Sequence, residues 1–325
     1  MKYSPTQKAT ISIRRTKVTQ DIISETRKLR GVPPLPPEAA QRLGKIHGTY
    51  SQGYQIGTTT EDLEEILPKL NAVSADLLGF ALEGVGTGLA QRDLLAPTDH
   101  NRVETFVKGP GAAYENFVYV GLGLMLGRKK LPIEPYLKSL NLIRSWLVLD
   151  GYGFQHGFTH WQDYLQGQPI PKPLTGYACQ VFDQGMGRSI WFIDGTDVTR
   201  IPQTIANFPP ERQVNLWGGL GYACAYAGGV DQSTLEALKI AAGSYDLVLA
   251  QAAAIAAKSR QLLGNPSIYT ELACQVFCRM GAEAAAETID KILESFSANT
   301  MTPEQENWQP YRIHLIHQSR VALLA

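Results

Sequence analysis

Residues 178–182 read Ala-Cys-Gln-Val-Phe, and the same five residues recur unchanged at 273–277. Two glycine motifs repeat at a similar distance: Val120-Gly-Leu-Gly123 with Gly218-Gly-Leu-Gly221, and Gly84-Val-Gly86 with Gly185-Met-Gly187. The three offsets are 95 to 101 residues. A fixed period of this size predicts a multi-helix unit repeated about two and a half times, with neighbouring units burying each other's apolar faces.

The segments around these motifs carry helix signals and few strand signals. One example is the stretch 229–243, in which Ser233 and Glu236 form a capping box and Gly243 provides a stop. We therefore predict an all-α fold, packed as an α/α solenoid or a helical barrel-like bundle. Because glycine inside a helix costs about 1 kcal/mol relative to alanine, we expect close helix packing or a ligand against the backbone to compensate.

The chain divides into an extension and one domain. Residues 1–57 form a predicted basic N-terminal extension that includes the proline-rich linker Gly31-Val-Pro-Pro-Leu-Pro-Pro37. Residues 58–325 form a predicted single helical-repeat domain, with units at 76–175, 176–272 and, in part, 273–325.

Charge and composition exclude several classes of partner. Thirty Lys and Arg residues balance thirty Asp and Glu residues, so no overall field attracts nucleic acid or an anionic membrane. We find no signal peptide and no apolar run of about 18 residues, and therefore predict a cytoplasmic protein without an integral membrane segment. A homo-oligomer stays open.

Common cofactor signatures are absent from the sequence. It contains no phosphate-binding Gly-Lys-Ser/Thr loop, no strand-borne Gly-x-Gly-x-x-Gly and no paired aspartate-rich motif. Cys274 and Cys278 lie one helical turn apart, but no second Cys or His pair is near them in sequence. We predict no cofactor and no metal.

Ionisable residues within apolar, glycine-marked segments are the candidate catalytic groups, because a buried charge needs a partner or a purpose. Glu83, Asp150 and Asp183 are such acids, and Arg188 follows Asp183 across the glycines. We predict a buried ion pair between Asp183 and Arg188. Asp194 and Asp197 form a metal or diphosphate motif or, as we favour, a turn in which Asp197 caps the next helix.

The stretch from Asp150 to Asp163 is the densest in functional groups. If it is helical, His156 and His160 lie four residues apart on one face. Three interpretations stay open: a shared metal, an acid/base or orienting role, and plain packing.

Several motifs resemble a family of unknown function encoded in enediyne-type polyketide biosynthetic clusters. They run in order from about residue 75 to 295, and the main ones are Phe-Ala-Leu-Glu-Gly (80–84), Lys-Gly-Pro-Gly-Ala (108–112), Leu-Asp-Gly-Tyr-Gly-Phe (149–154), Phe-Asp-Gln-Gly-Met-Gly-Arg-Ser-Ile-Trp-Phe (182–192) and Ala-Cys-Ala-Tyr-Ala-Gly-Gly-Val-Asp (223–231). His160 and Trp161 also follow the family pattern, whereas Gln155 and His156 depart from it. The resemblance implies a role in specialised metabolism, on or beside a long, unsaturated, apolar chain.

These observations favour a cavity for an apolar small molecule, such as a polyene or an isoprenoid. A carboxylic acid kept protonated there would start cyclisation or isomerisation, and aromatic faces would stabilise cationic intermediates. The candidate catalytic residues are Glu83, Asp150, Asp183 and His160. The candidate substrate-binding residues are Tyr152, Phe154, His156, Trp161, Arg188, Trp191 and Trp217. The alternatives are a non-catalytic binding or self-protection protein and a helical-repeat scaffold.

Overall fold

A computed structural model describes residues 24–96, 101–172 and 174–300, without the side chains of residues 142–143 and 293–300. Within these ranges every regular element is helical and no strand occurs. The all-α prediction is therefore confirmed. The predicted basic arm up to residue 23 and the end of the third repeat, residues 301–325, lie outside the described ranges.

Long helices form the main layer of the fold. They are α1 (Pro37–Thr59), α2 (Leu78–Leu95), α4 (Glu115–Arg128), α6 (Leu142–Thr159), α7 (Tyr177–Ile193), α9 (Pro210–Ala227), α11 (Asp246–Leu263) and α13 (Ala282–Thr300). Shorter helices connect them, namely α3 (Arg102–Lys108), α5 (Glu134–Ser139), α8 (Arg200–Ala206), α10 (Gln232–Ala242) and α12 (Ile268–Phe277). Each long helix packs on the next long helix in the chain.

Neighbouring long helices run parallel, as contacts between α4 and α6 show. Gly123 faces Val148 and Tyr152, and Gly127, one turn later, faces Tyr152 and Gln155. Advancing along α4 thus advances along α6 in the same direction. The short helices return the chain to the start of the next long helix.

Gly-x-Gly pairs allow this close packing. In α7, a Cβ atom on Gly185 would lie well within 3.0 Å of the Asp150 carbonyl oxygen of α6, and one on Gly187 equally close to Leu216 of α9. Because residues two apart are separated by about 200° around a helix, one glycine faces the preceding helix and the other the following helix. The same arrangement recurs at 84/86, 121/123, 151/153 and 219/221.

The glycine pairs recur more often than the predicted repeat. Successive pairs are 30 to 37 residues apart. The distance of 101 residues from Gly84 to Gly185, which suggested the longer repeat, therefore spans three of these shorter intervals. The unit that recurs in the structure is one long helix with its connection. The larger unit and the solenoid description stay predictions.

The structure differs from the predicted boundary at residue 57. Helix α1 begins at Pro37, its Ala39 is buried, and its Leu43 and Ile46 belong to the main core. The reason is that proline is tolerated in the first turn of a helix, so the proline-rich stretch starts α1 instead of separating two regions. Residues 37–57 therefore belong to the helical array.

Of two helix caps predicted from the sequence, the structure changes one and agrees with the other. Asp231, two residues before the predicted Ser233, caps α10 by accepting from the Thr234 amide, because its carboxylate reaches the first turn. Asp197 accepts from the amides of Thr199 and Arg200, as expected for the predicted turn and cap.

Residues Gln232–Leu263 are long and apolar enough to span a membrane by length and composition. Half of the apolar window is buried in the fold, and Gly243, with φ +57, separates α10 from α11. A helix in the core of a globular protein can be equally long and apolar, so these properties alone do not indicate a membrane span.

Candidate functional site

Six long helices, α2, α4, α6, α7, α9 and α11, contribute side chains to a cavity of about 110 Å³. Its polar lining consists of Glu83, Asn116, Asp150, Gln184, Arg188, Tyr222 and Ser259. Its apolar lining consists of Ala113, Phe117, Val120, Leu147, Ile255, Leu262 and Leu263. The cavity therefore combines a charged centre with an apolar wall.

The glycine pairs explain why these side chains meet. Glu83, Val120, Asp150 and Gln184 each stand immediately before a Gly-x-Gly pair. Since each pair is oriented towards the two neighbouring helices, the preceding residue takes an equivalent position on α2, α4, α6 and α7 and reaches the cavity. Arg188 lies one turn after Gln184 and reaches it as well.

Arg188 joins two acids in this cavity. Its Nη2 donates to Glu83 Oε1 over 3.0 Å, and its Nη1 donates to Asp150 Oδ1. All three side chains are at least 86% buried. Two carboxyl groups thus share one guanidinium, and the cluster carries one excess negative charge if both are ionised.

Burial acts on both carboxyl groups in the same direction. Desolvation raises the pKa of Glu83, and the charge of Asp150 adds to the rise, although Arg188 opposes it. Desolvation also raises the pKa of Asp150 against the effect of Arg188. An uncompensated charge is costly in a buried site, so the excess negative charge raises the affinity of the pair for a proton.

We expect Glu83→Gln to flatten the dependence of stability on pH. A carboxyl group whose pKa is raised on folding stabilises the protein fully below its unfolded pKa, near 4.5 for Glu83, and this contribution is lost as pH rises through the folded pKa. The free energy of unfolding, measured by denaturant titration at several pH values above 4.5, should therefore fall less steeply in the variant.

Glu61→Gln is the matched control, because Glu61 pairs with Arg92 but is 87% exposed. It should leave the slope unchanged. An unaltered slope in Glu83→Gln as well would show that Glu83 gains no proton affinity on folding.

Asp183 does not pair with Arg188, which corrects the predicted ion pair. Its Oδ2 accepts from Arg212 Nε over 2.9 Å, and both residues are buried outside the cavity lining. The spacing in sequence suggested Arg188, but residues 183 and 188 lie on different faces of α7. Burial raises the pKa of Asp183 while Arg212 opposes the rise.

The two histidines lie towards the end of α6, also outside the lining. His156 is buried between Tyr152 and Tyr164, and neither ring nitrogen has a hydrogen-bond partner. Burial lowers its pKa to about 3. His160 Nε2 lies 3.3 Å from the Gly127 carbonyl oxygen. Within the described ranges, no group of three His, Cys, Asp or Glu side chains is placed to hold a metal ion.

The predicted aromatic residues are dispersed through the core. Trp191 Nε1 donates to the Gly228 carbonyl, Trp217 stacks on Tyr245, Trp161 lies beneath the Arg30 guanidinium, and Tyr152 donates to the Leu131 carbonyl. None of them lines the cavity. Phe154 lies against Arg188, with 5.4 Å from the guanidinium to the ring.

The aromatic residues that do line the cavity, Phe117 and Tyr222, were missed from the sequence. Tyr222 stands three residues after Gly219, the position that Arg188 holds relative to Gly185. The equivalent residues of the other pairs, Thr87, Leu124 and Phe154, do not line the cavity, so this register alone does not predict Tyr222.

Fold and site together define an all-helical protein with a buried acid–arginine cluster in a small central cavity. The chain belongs to the family described as "Protein of unknown function (DUF1702)", whose model matches residues 9–315. No curated protein and no solved structure matches it.

Proposed function

We propose that the protein is an enzyme of specialised metabolism that starts the cyclisation or isomerisation of a long, apolar, unsaturated substrate, a polyene or an isoprenoid. The acid is the carboxyl pair of Glu83 and Asp150. The observation that carries this proposal is the sharing of one guanidinium, that of Arg188, by two buried carboxyl groups at a cavity. The enediyne-type biosynthetic setting and a cytoplasmic location are parts of the same proposal.

The proposed step balances without a cofactor. The O–H bond of the protonated carboxyl breaks, and the π electrons of a substrate double bond form a new C–H bond to that proton. The adjacent carbon becomes cationic, and a second double bond attacks it to close a ring. Loss of a proton to the carboxylate then gives an isomer of the substrate and restores the acid.

The charges of the cluster favour the reaction both before and after proton transfer. Before transfer, the shared proton relieves the excess negative charge of the pair. After transfer, the two carboxylates and Arg188 sum to one negative charge, which stabilises a carbocation in a site of low dielectric. The faces of Phe117 and Tyr222, which line the cavity, add cation–π stabilisation.

The cavity dimensions limit how the substrate binds. About 110 Å³ is less than the 300–1,000 Å³ that is typical of pockets for drug-sized ligands. Leu262 lines the cavity and is 42% exposed, so the apolar wall continues to the surface of the molecule. We therefore propose that only the reacting end enters, while the rest of the chain lies along this wall.

A second function, non-catalytic binding of a polyene for storage or self-protection, is favoured by one observation. Each predicted acid is engaged by an arginine, Glu83 and Asp150 by Arg188 and Asp183 by Arg212. Acids used entirely for structural ion pairs would leave a binding site without chemistry.

The test is incubation of the purified protein with polyenes and with isoprenoid hydrocarbons, followed by chromatography and mass spectrometry. The enzyme should convert one of them to a product of identical mass and different retention. Glu83→Gln and Asp150→Asn should each lower the rate by at least about a hundredfold, since general acid catalysis contributes at least that much.

Asp183→Asn is the matched control, because Asp183 is a buried, arginine-paired acid outside the cavity lining. It should retain the rate if it folds. Binding without turnover in the unaltered protein would favour the storage function, and equal turnover in Glu83→Gln and Asp150→Asn would remove the proposed acid.

A further inference from the structure

Asn116 lines the cavity and carries an amide oxygen without a partner. It is the second residue of α4, and two other lining residues lie about one turn away, Ala113 before it and Val120 after it. Among the described residues, its Oδ1 atom has no hydrogen-bond partner, and it is buried from solvent. Because a buried acceptor without a donor is costly, a donor on a bound molecule would stabilise this position.

Along α4, Asn116 lies between the surface and the acid cluster. Ala113 lines the cavity and is exposed, so the lining reaches the surface on that side of Asn116. On the other side, Val120 packs against α6, where a Cβ atom on Gly151 would meet the Val120 carbonyl oxygen, and Asp150 immediately precedes that glycine. A ligand that enters past Ala113 and reaches Asp150 therefore passes Asn116, about one helical turn before the acid.

The charges of the lining decide which kind of group can pair with Asn116. Among the described residues that line the cavity, the one cation is Arg188, and both Glu83 and Asp150 already contact it. A carboxylate or diphosphate on the ligand would bring further oxygen lone pairs towards Oδ1 and towards these two acids. A hydroxyl group is neutral and can donate its proton to Oδ1, so it meets both requirements.

We propose that the substrate is an unsaturated alcohol, whose hydroxyl donates to Asn116 Oδ1 while its double bond lies at the acid cluster. This inference rests on the proposed function, because it names the polar group of the same substrate in the same cavity. Asn116 takes no part in proton transfer and determines specificity. Its hydrogen bond holds the substrate in one direction, with the double bond beyond Asn116, at the carboxyl pair.

The probes are prenol (3-methylbut-2-en-1-ol), a small unsaturated alcohol, and its methyl ether, which keeps the oxygen but cannot donate. Their dissociation constants with the full-length protein are measured by NMR titration. Asn116→Leu should lower the ratio of prenol affinity to ether affinity about tenfold, the effect of one hydrogen bond to a buried group. Phe117→Leu is the matched control, because Phe117 also lines the cavity but has no hydrogen-bonding group. It should weaken both probes equally and leave the ratio unchanged.

Chromatography of the same samples reports any conversion of prenol, so binding and turnover are decided separately. A ratio that falls in Asn116→Leu, in a protein that converts no alkene, would support this inference and remove only the proposed reaction. If Asn116→Leu does not fold, the side-chain amide signals of Asn116 in the unaltered protein provide the test, and saturating prenol should shift them. Prenol that does not bind, an unchanged ratio in Asn116→Leu, or amide signals that prenol leaves unshifted would overturn the inference.

Discussion

Gly219→Ala should destabilise the protein by about 3 kcal/mol, although glycine to alanine in a helix usually stabilises. A Cβ atom at this position would overlap the Gln184 carbonyl oxygen and approach the Arg188 amide of α7. Those atoms belong to the backbone, so no side-chain rotation relieves the overlap. The helices α7 and α9 must separate, and the free energy of unfolding from denaturant titration measures the cost.

Gly48→Ala is the matched control. Gly48 lies within α1, and a Cβ atom there would meet nothing within 4 Å. The substitution should stabilise by about 0.5–1 kcal/mol, because alanine restricts the unfolded chain and favours the helix. If both variants changed stability equally, the glycine pairs would not be determinants of helix packing.

Arg188→Met should cost about 3 kcal/mol or more at neutral pH, because it leaves Glu83 and Asp150 buried without their common cation. The loss should shrink as pH falls towards the unfolded pKa values of 4.5 and 3.8, where both carboxyls bind protons. Denaturant titration of the variant and the unaltered protein at neutral and acidic pH measures the difference.

Lys130→Met removes a cation from a salt bridge that is exposed on both sides, 53% at Lys130 and 60% at Asp163, and it should cost less than about 1 kcal/mol at any pH. The triple variant Glu83→Gln, Asp150→Asn, Arg188→Met removes the charges together and should recover most of the loss. A large loss in Arg188→Met that is independent of pH would indicate lost packing as its cause, not unpaired carboxyls.

The helical class was predictable from the sequence, whereas the shorter interval of one long helix with its connection was not predicted. Verbatim matches such as residues 178–182 with 273–277 are visible only across several helices, which suggested a unit of about 100 residues. The shorter interval is marked only by glycine pairs, whose flanking residues differ because each helix meets a different neighbour. Packing, not local propensity, defines this period.

The candidate site was likewise predictable only in part from the sequence. Glu83 and Asp150 were identified as acids inside apolar helices, and the structure places both at the cavity. Asp183 has the same sequence context but lies one position earlier relative to its glycine pair, and it reaches Arg212 instead.

Infrared difference spectroscopy of carboxyl protonation at neutral pH, comparing the unaltered protein with Glu83→Gln and Asp150→Asn, shows whether the acid cluster holds a proton. We expect one buried, protonated carboxyl group whose C=O band is lost or displaced in each variant, because the two acids share the proton. A spectrum without a protonated carboxyl band from either acid would contradict this expectation, and would leave the cluster as an ion pair without an acid to donate.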